Sequence, residues 1–188
     1  MIGMDPDRKV IFDRVIVGGL ATNCYILRSG DCGIIIDPGD EAERILKKAR
    51  GLKIELILAT HNHFDHITAL SAVKEKTGAR AAIHPNDWTD GFDERLEDGE
   101  RIRFGDDELL VIHTPGHTPG GCCFLVGGDL FSGDTLFPGG PGNTSFPGGD
   151  EAAIYQSIRT KLMVLPDGVR VHPGHGPSTT IGAERHLY

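Results

Sequence analysis

Four side chains with lone pairs suited to metals fall within six residues, in the segment Thr60-His61-Asn62-His63-Phe64-Asp65-His66. His61 and His63 are two apart, so in an extended stretch they project to the same side. Asp65 and His66 follow as the chain turns toward a helix, which aims them at a neighbouring point. Imidazole and carboxylate donors suit Zn²⁺, iron or Mn²⁺ better than a thiolate-seeking ion, and four of them suffice for parts of two metal sites. Three further candidates come later: His117 in Pro115-Gly116-His117-Thr118, Asp134 in Ser132-Gly133-Asp134-Thr135, and His175 in Pro173-Gly174-His175-Gly176. Each has a glycine beside it, which lets backbone approach closely and leaves the side chain room to point inward.

Donors scattered over 115 positions meet only if strand ends hold them. Residues 11–18, 23–28 and 33–37 read as strands, the last an apolar run ended by Pro38-Gly39. A helix is expected next, with Asp40 as its cap, Ala42, Ile45, Leu46 and Ala49 on one face, and Gly51 as its stop. A buried-type strand over 55–59 leads into the histidine segment, and a second helix is expected from Asp65 to Thr77, ended by Gly78. Residues 101–104 and 108–113 read as one hairpin. Residues 121–126 and 129–132 read as another, around the two-residue turn Gly127-Gly128. A helix capped by Asp150 and a short strand over 169–171 complete the pattern, an α/β layered architecture with the candidate donors at strand ends.

Composition narrows the classes. A chain of 188 residues fits one domain. A net charge of −8 with no basic stripe argues against a nucleic-acid partner. No apolar run approaches the ~20 residues that span a bilayer, and residues 1–10 are polar with no secretory h-region. Cys24, Cys32, Cys122 and Cys123 lack zinc-ribbon spacing and read as small buried groups, which points to the reducing cytosol.

In order along the chain, Asp37, the HxHxDH segment, His117, Asp134 and His175 resemble the signature of the metallo-β-lactamase superfamily, and the likeness covers almost the whole sequence. The resemblance implies a four-layer αββα sandwich forming one domain over residues 1–188. It places one metal on His61, His63 and His117, a second on Asp65, His66 and His175, and Asp134 between them. Asp37 would order the histidine loop from behind. Two cations, expected to be zinc with iron or manganese as alternatives, would then generate a bound hydroxide at neutral pH. It would attack an acyl carbonyl, with Asp65 and Asp134 as the carboxylates at the reacting centre.

Within the superfamily, Gly133-Asp134-Thr135-Leu136-Phe137 resembles the GDTLF segment of glyoxalase II-like hydrolases, which cleave S-2-hydroxyacylglutathione thioesters. Phe146-Pro147-Gly148-Gly149-Asp150 and the stretch from Pro173 to Gly182 resemble the small subgroup without the C-terminal helical domain of glyoxalase II. Asn143 and Thr144 stand where those enzymes carry a cation and an aromatic residue against glutathione, so Asn143 is the candidate substrate contact. The implied activity is hydrolysis of a small-molecule acyl thioester. Alternatives are a persulfide dioxygenase with one Fe(II), which Asp65-His66-Ile67-Thr68 brings to mind, a lactonase or other ester or amide hydrolase, and a non-catalytic metal-binding domain. His84, His172 and His186 read as loop or solvent-facing residues, and His113 as packing. Nothing in the sequence speaks to oligomeric state.

Overall fold

The computed structural model describes residues 10–188, so the polar segment at residues 1–9 lies outside the described residues. Two six-stranded sheets carry the chain. In the first, β1 (Ile11–Val17), β2 (Thr22–Ser29) and β3 (Cys32–Ile36) run antiparallel. β4 (Lys53–Leu58), β5 (Arg80–Ile83) and β6 (Glu94–Arg95) then continue from β3 in parallel. In the second, β7 (Arg101–Phe104), β8 (Asp107–His113), β9 (Cys122–Val126) and β10 (Asp129–Gly133) form an antiparallel meander. A small hairpin of β11 (Leu136–Phe137) and β12 (Gly140–Pro141) follows. β13 (Arg170–Pro173) then lies parallel to β10, and β14 (Thr179–Thr180) closes the edge.

Period-two alternation explains how the layers stack. On β2, Tyr25 and Leu27 point into the slab between the sheets, where they meet Phe104, Phe124 and Phe131 of the second sheet. Cys24 and Ile26 point the other way, under α1 (Ala42–Lys48) and α3 (Leu70–Thr77). The second sheet does the same: Cys123, Leu125 and Leu130 face α4 (Glu151–Ser157), which the π-helical turn Ile158–Leu162 continues. A side chain of this size is worth about 1.5–3 kcal/mol when fully buried, so three apolar seams hold four layers. The expected αββα sandwich is the observed one.

Local differences from the sequence reading have physical causes. Asp40 does not cap α1: its Oδ1 accepts from the adjacent Glu41 N–H at 2.6 Å, and Glu41 occupies the cap position in left-handed backbone. The expected single helix from Asp65 to Thr77 is two, α2 (Phe64–Ile67) and α3, broken at Ala69. The Ala69 N–H donates to Pro38 O at 3.0 Å instead of to Asp65 O, against which Gly39 is pressed. Asp150 does cap α4, accepting from Ala153 N–H at 2.9 Å, and Val126 pairs with Asp129 across the Gly127-Gly128 turn. Strands β5 and β6 were not foreseen. His172 lies in β13, buried, rather than in a loop. Among the described residues no helix is long and apolar enough to cross a membrane.

One ion pair fixes the β10–β13 register. Asp129, fully buried, pairs with Arg170 directly across the ladder. Its carboxylate accepts from Arg170 Nε at 2.7 Å, His172 Nε2 at 2.8 Å and Val10 N–H at 3.1 Å. Burial pushes the Asp129 carboxyl up, but the hydrogen bonds from His172 and Arg170 outweigh it and hold it below the usual carboxylate range. Since the folded-state value is the lower one, this contribution to stability is complete above the unfolded-state value and is lost as pH falls through the folded one. Asp129→Asn should therefore destabilise the fold by about 3 kcal/mol in denaturant titrations at neutral pH, with a smaller difference in acid. A midpoint unchanged at pH 7 would contradict this account.

Candidate metal centre

The carboxyl ends of β3, β4, β8, β10 and β13 all open on one edge of the sandwich, and each hands over a piece of the site. Three contacts stitch the two sheets together there. Thr22 and His175 form an isolated antiparallel bridge, Asn23 N–H donates to Gly174 O at 2.7 Å, and Cys122 N–H donates to Thr60 O at 2.8 Å. Glycine is required where these pieces touch. A Cβ at Gly174 would stand 2.3 Å from Asp134 Oδ1 and 2.6 Å from His66 Cε1.

All seven donors proposed from the sequence come together, in three overlapping groups whose ligand atoms lie within 4.8 Å of one another: His61, His63 and His117; His61, His66 and Asp134; and Asp65, His66 and His175. Asp134 stands between them. Its Oδ1 is 3.6 Å from His66 Nε2, and its Oδ2 is 3.5 Å from His117 Nε2 and 3.7 Å from His175 Nε2. Asp65 Oδ2 lies 3.2 Å from His175 Nε2 and accepts from Thr22 Oγ1 at 2.9 Å.

The outer ring nitrogens settle which lone pairs face inward. Carbonyl and carboxylate oxygens only accept, so His66 Nδ1–H donates to Asp37, His117 Nδ1–H to Asn143 O and His175 Nδ1–H to Leu20 O, at 2.8, 2.6 and 3.0 Å. Thr60 Oγ1 donates to Asp37 Oδ2 and is left to accept from His61 Nδ1–H at 3.0 Å. Four rings therefore turn Nε2 inward, and His63 presents Nδ1. His63 Nδ1 lies 3.0 Å from His61 Nε2 and 2.9 Å from His117 Nε2, and one nitrogen carries at most one proton. Facing lone pairs this close need a shared positive charge. Asp134 Oδ1 makes the same demand, being buried with no hydrogen-bond donor in reach. The donor set thus fits divalent cations.

Electrostatics agree. Burial disfavours a charged His66, but the carboxylates of Asp37, Asp134 and Asp65 outweigh it and raise its pKa to about 9. Burial, with repulsion from His66, His117 and His63, pushes His61 well down. Burial also pushes Asp65 up, yet hydrogen bonds from His175 and Thr22 and the charge on His66 hold it far below the ordinary carboxylate range. The carboxylates thus draw positive charge into the cluster, and a proton on His66 holds the place that a cation would take.

Supporting residues brace the cluster from behind. Asp37 sits at φ 53° with its side chain buried, accepting from Thr60 N–H, Thr60 Oγ1 and His66 at once. Buried Asp87 braces the His117 loop by accepting from Thr118 Oγ1 at 2.6 Å and Gly120 N–H at 2.7 Å. Nothing in Pro85-Asn86-Asp87 announced that. Asn143, the candidate substrate contact, is exposed; its main chain holds His117 and its Oδ1 accepts from Ser145 N–H. Phe146 packs edge-on to His63 with ring centroids 5.4 Å apart. His84 and His113, outside the cluster, stack at 3.8 Å.

The chain belongs to the Metallo-beta-lactamase superfamily, whose sequence profile matches residues 17–175. This is a superfamily of metal-binding hydrolases, and three relatives show the chain's place in it. It is 37% identical to the probable metallo-hydrolase YqgX of Bacillus subtilis, over 92% of this chain and 93% of that one. It is 34% identical to the hydroxyacylglutathione hydrolase GloC of Haemophilus influenzae, over 80% and 83%. Among solved structures, TTHA1623 in a di-iron-bound form is 37% identical and superposes with a TM-score of 0.82, covering 92% of this chain and 96% of that one.

Because Asp37 orders both the loop and His66, Asp37→Asn should lower metal affinity by about 10–100-fold, read by competition with a chromophoric chelator. The amide cannot accept three hydrogen bonds without turning its NH₂ toward a donor. An affinity equal to that of the unmodified protein would remove Asp37 from this role.

Proposed function

We propose that the protein is a dinuclear metallo-hydrolase that cleaves a small acyl thioester, with S-2-hydroxyacylglutathiones as the first candidate substrates. The observation that carries this reading is the Asp134 carboxylate, which turns one oxygen toward His66 and the other toward His117 and His175. His61, His63 and His117 would hold one cation, Asp65, His66 and His175 the other, and Asp134 would bridge them. Divalent cations in such a pair act as Lewis acids and lower the pKa of water from 15.7 to about 7.

The chain's own groups supply the rest. Asp65, oriented by Thr22 and kept ionised, accepts the proton of the attacking water and aims its oxygen at the acyl carbon. Phe146 stands beside His63 and His117, half in solvent, and gives the acyl group an apolar wall that sheds water. Phe64, between His63 and Asp65, and Leu20, whose carbonyl accepts from His175, are both exposed and extend that apolar character. A thiolate leaves without a strong acid, its conjugate thiol having a pKa of about 8.5, and the donor set offers none. The 143–144 segment holds His117 through a carbonyl and brings no cation to a carrier carboxylate, so carrier recognition rests on other groups.

The similarity to GloC, a hydroxyacylglutathione hydrolase, supports the thioester, and the three overlapping donor groups support two metals over one. Zinc is the proposed metal, with iron the alternative that the di-iron relative favours and manganese the third. All four cysteines are unpaired thiols, consistent with work in the reducing cytosol.

Purified protein should hydrolyse S-D-lactoylglutathione, lose turnover with a chelator and regain it with zinc or iron. Asp134→Asn should cut kcat/KM by about 10²–10³-fold, the usual cost of removing one electrostatic stabiliser at a reacting centre. A fully metallated protein inert toward this thioester removes the glutathione substrate; lactones and other thioesters are then assayed. Oxygen uptake with a persulfide and a single bound iron would replace the hydrolase reading altogether.

A further inference from the structure

Outside the histidine cluster, β10, β13 and the turn after β13 bring a serine, a histidine and an aspartate into line. Ser178 Oγ lies 2.9 Å from His172 Nδ1, and His172 Nε2 lies 2.8 Å from Asp129 Oδ1. Charge and tautomer follow from the surroundings. Asp129 is ionised, as argued above, so it only accepts and His172 Nε2 must carry the proton. A neutral ring then has its lone pair on Nδ1, and Ser178 O–H donates to it. The ring has no freedom to turn: Phe12 packs edge-on at 4.7 Å and Phe131 lies 5.2 Å away, while Arg170 pins the carboxylate. Hydroxyl, base and orienting carboxylate thus stand in the order that activates a serine nucleophile, with the two ring nitrogens exchanged relative to the usual serine hydrolase arrangement.

The constellation also has somewhere for a reagent to sit. A surface depression of about 340 Å³ is lined by Phe12, Arg14, Tyr25, His172, Pro177 and Ser178. Ser178 is exposed at its rim, and His172 is 6% exposed behind it. Phe12 offers an apolar surface, and Arg14, anchored by Nη1–H to Gly176 O at 3.2 Å, brings a cation. None of these groups belongs to the candidate metal donors.

We propose that Ser178 is a second, metal-independent nucleophile, acylated by small activated esters with a short apolar acyl group. Ser178 Oγ attacks the ester carbonyl as its proton passes to His172 Nδ1, and Arg14 stabilises the oxyanion. Collapse expels the alkoxide or phenoxide, which takes the proton back from His172. The product is acyl-Ser178 and free alcohol, with water able to repeat the sequence and release the acid. Asp129 is a positioning residue that keeps the tautomer.

The alternative is that the three side chains only pin the turn after β13, which predicts no unusual reactivity. Full-length protein is treated with p-nitrophenyl acetate, and in parallel with a fluorophosphonate probe, with metal loaded and with chelator present. Peptide mapping should find one adduct per chain, on Ser178, formed equally in both conditions and far faster than on exposed Ser71 in the same molecule. Ser178→Ala should abolish the adduct and leave metal-dependent thioester turnover unchanged. His172→Gln should slow it by about 10²–10⁴-fold, the contribution of a general base. Adducts confined to other residues, or Ser178 reacting no faster than Ser71, overturn the proposal; this comparison uses the unmodified protein, so it stands even if His172→Gln fails to fold.

Discussion

Too many lone pairs meet at one edge of this sandwich. Five imidazoles and two carboxylates turn toward a shared centre, and an eighth group, buried Asp37, adds negative charge behind them. Such an arrangement is repulsive unless something positive is shared, so the surrounding fold must hold it against its own tendency to spread. Three unusual local features serve that restraint. Asp37 adopts left-handed backbone to reach Thr60 and His66 together, and Gly174 gives up a side chain so that Asp134 and His66 can close in. The helix that might have run unbroken past Asp65 is interrupted, with Ala69 N–H bonded to Pro38 O instead.

That restraint is affordable because the layers beneath are ordinary. Alternating side chains on β2, β9 and β10 fill three apolar seams, and buried aromatic rings sit between the sheets. The strained pieces are confined to the loops at the strand ends, where parallel β3–β4 and β10–β13 pairs deliver them from both sheets. The pull of the centre on positive charge follows from geometry: three carboxylates raise His66 to a pKa of about 9.

Much of this was legible in the residues. The HxHxDH spacing, the glycine-flanked His117, Asp134 and His175, and the apolar strand before each group foretold that these side chains meet and that the fold is layered, because spacing and strand ends are written locally. Other parts were not, for reasons equally physical. Asp40 bonds its neighbour's amide, a choice that cap statistics do not encode. Asp87 and Asp129 act through partners 31 or more positions away, and no local pattern distinguishes them from loop or turn carboxylates. His172 looked like a loop residue before a proline until the β10–β13 pairing put it beside Asp129 and Phe12.

The Thr22–His175 bridge has a mechanical consequence. His61, His63, Asp65 and His66 follow a strand of the first sheet, whereas His117, Asp134 and His175 follow strands of the second, and that bridge crosses the seam between them. A cation held by both sets is a rivet through two plates. Its release and the hinging apart of the sheets at that edge lie along one coordinate, so whatever tightens the seam slows exchange of the ion, and whatever binds the ion stiffens the halves against separation. Amide protons at Thr22, Asn23 and Cys122 mark that hinge, and their protection from solvent exchange tracks how firmly the rivet is set.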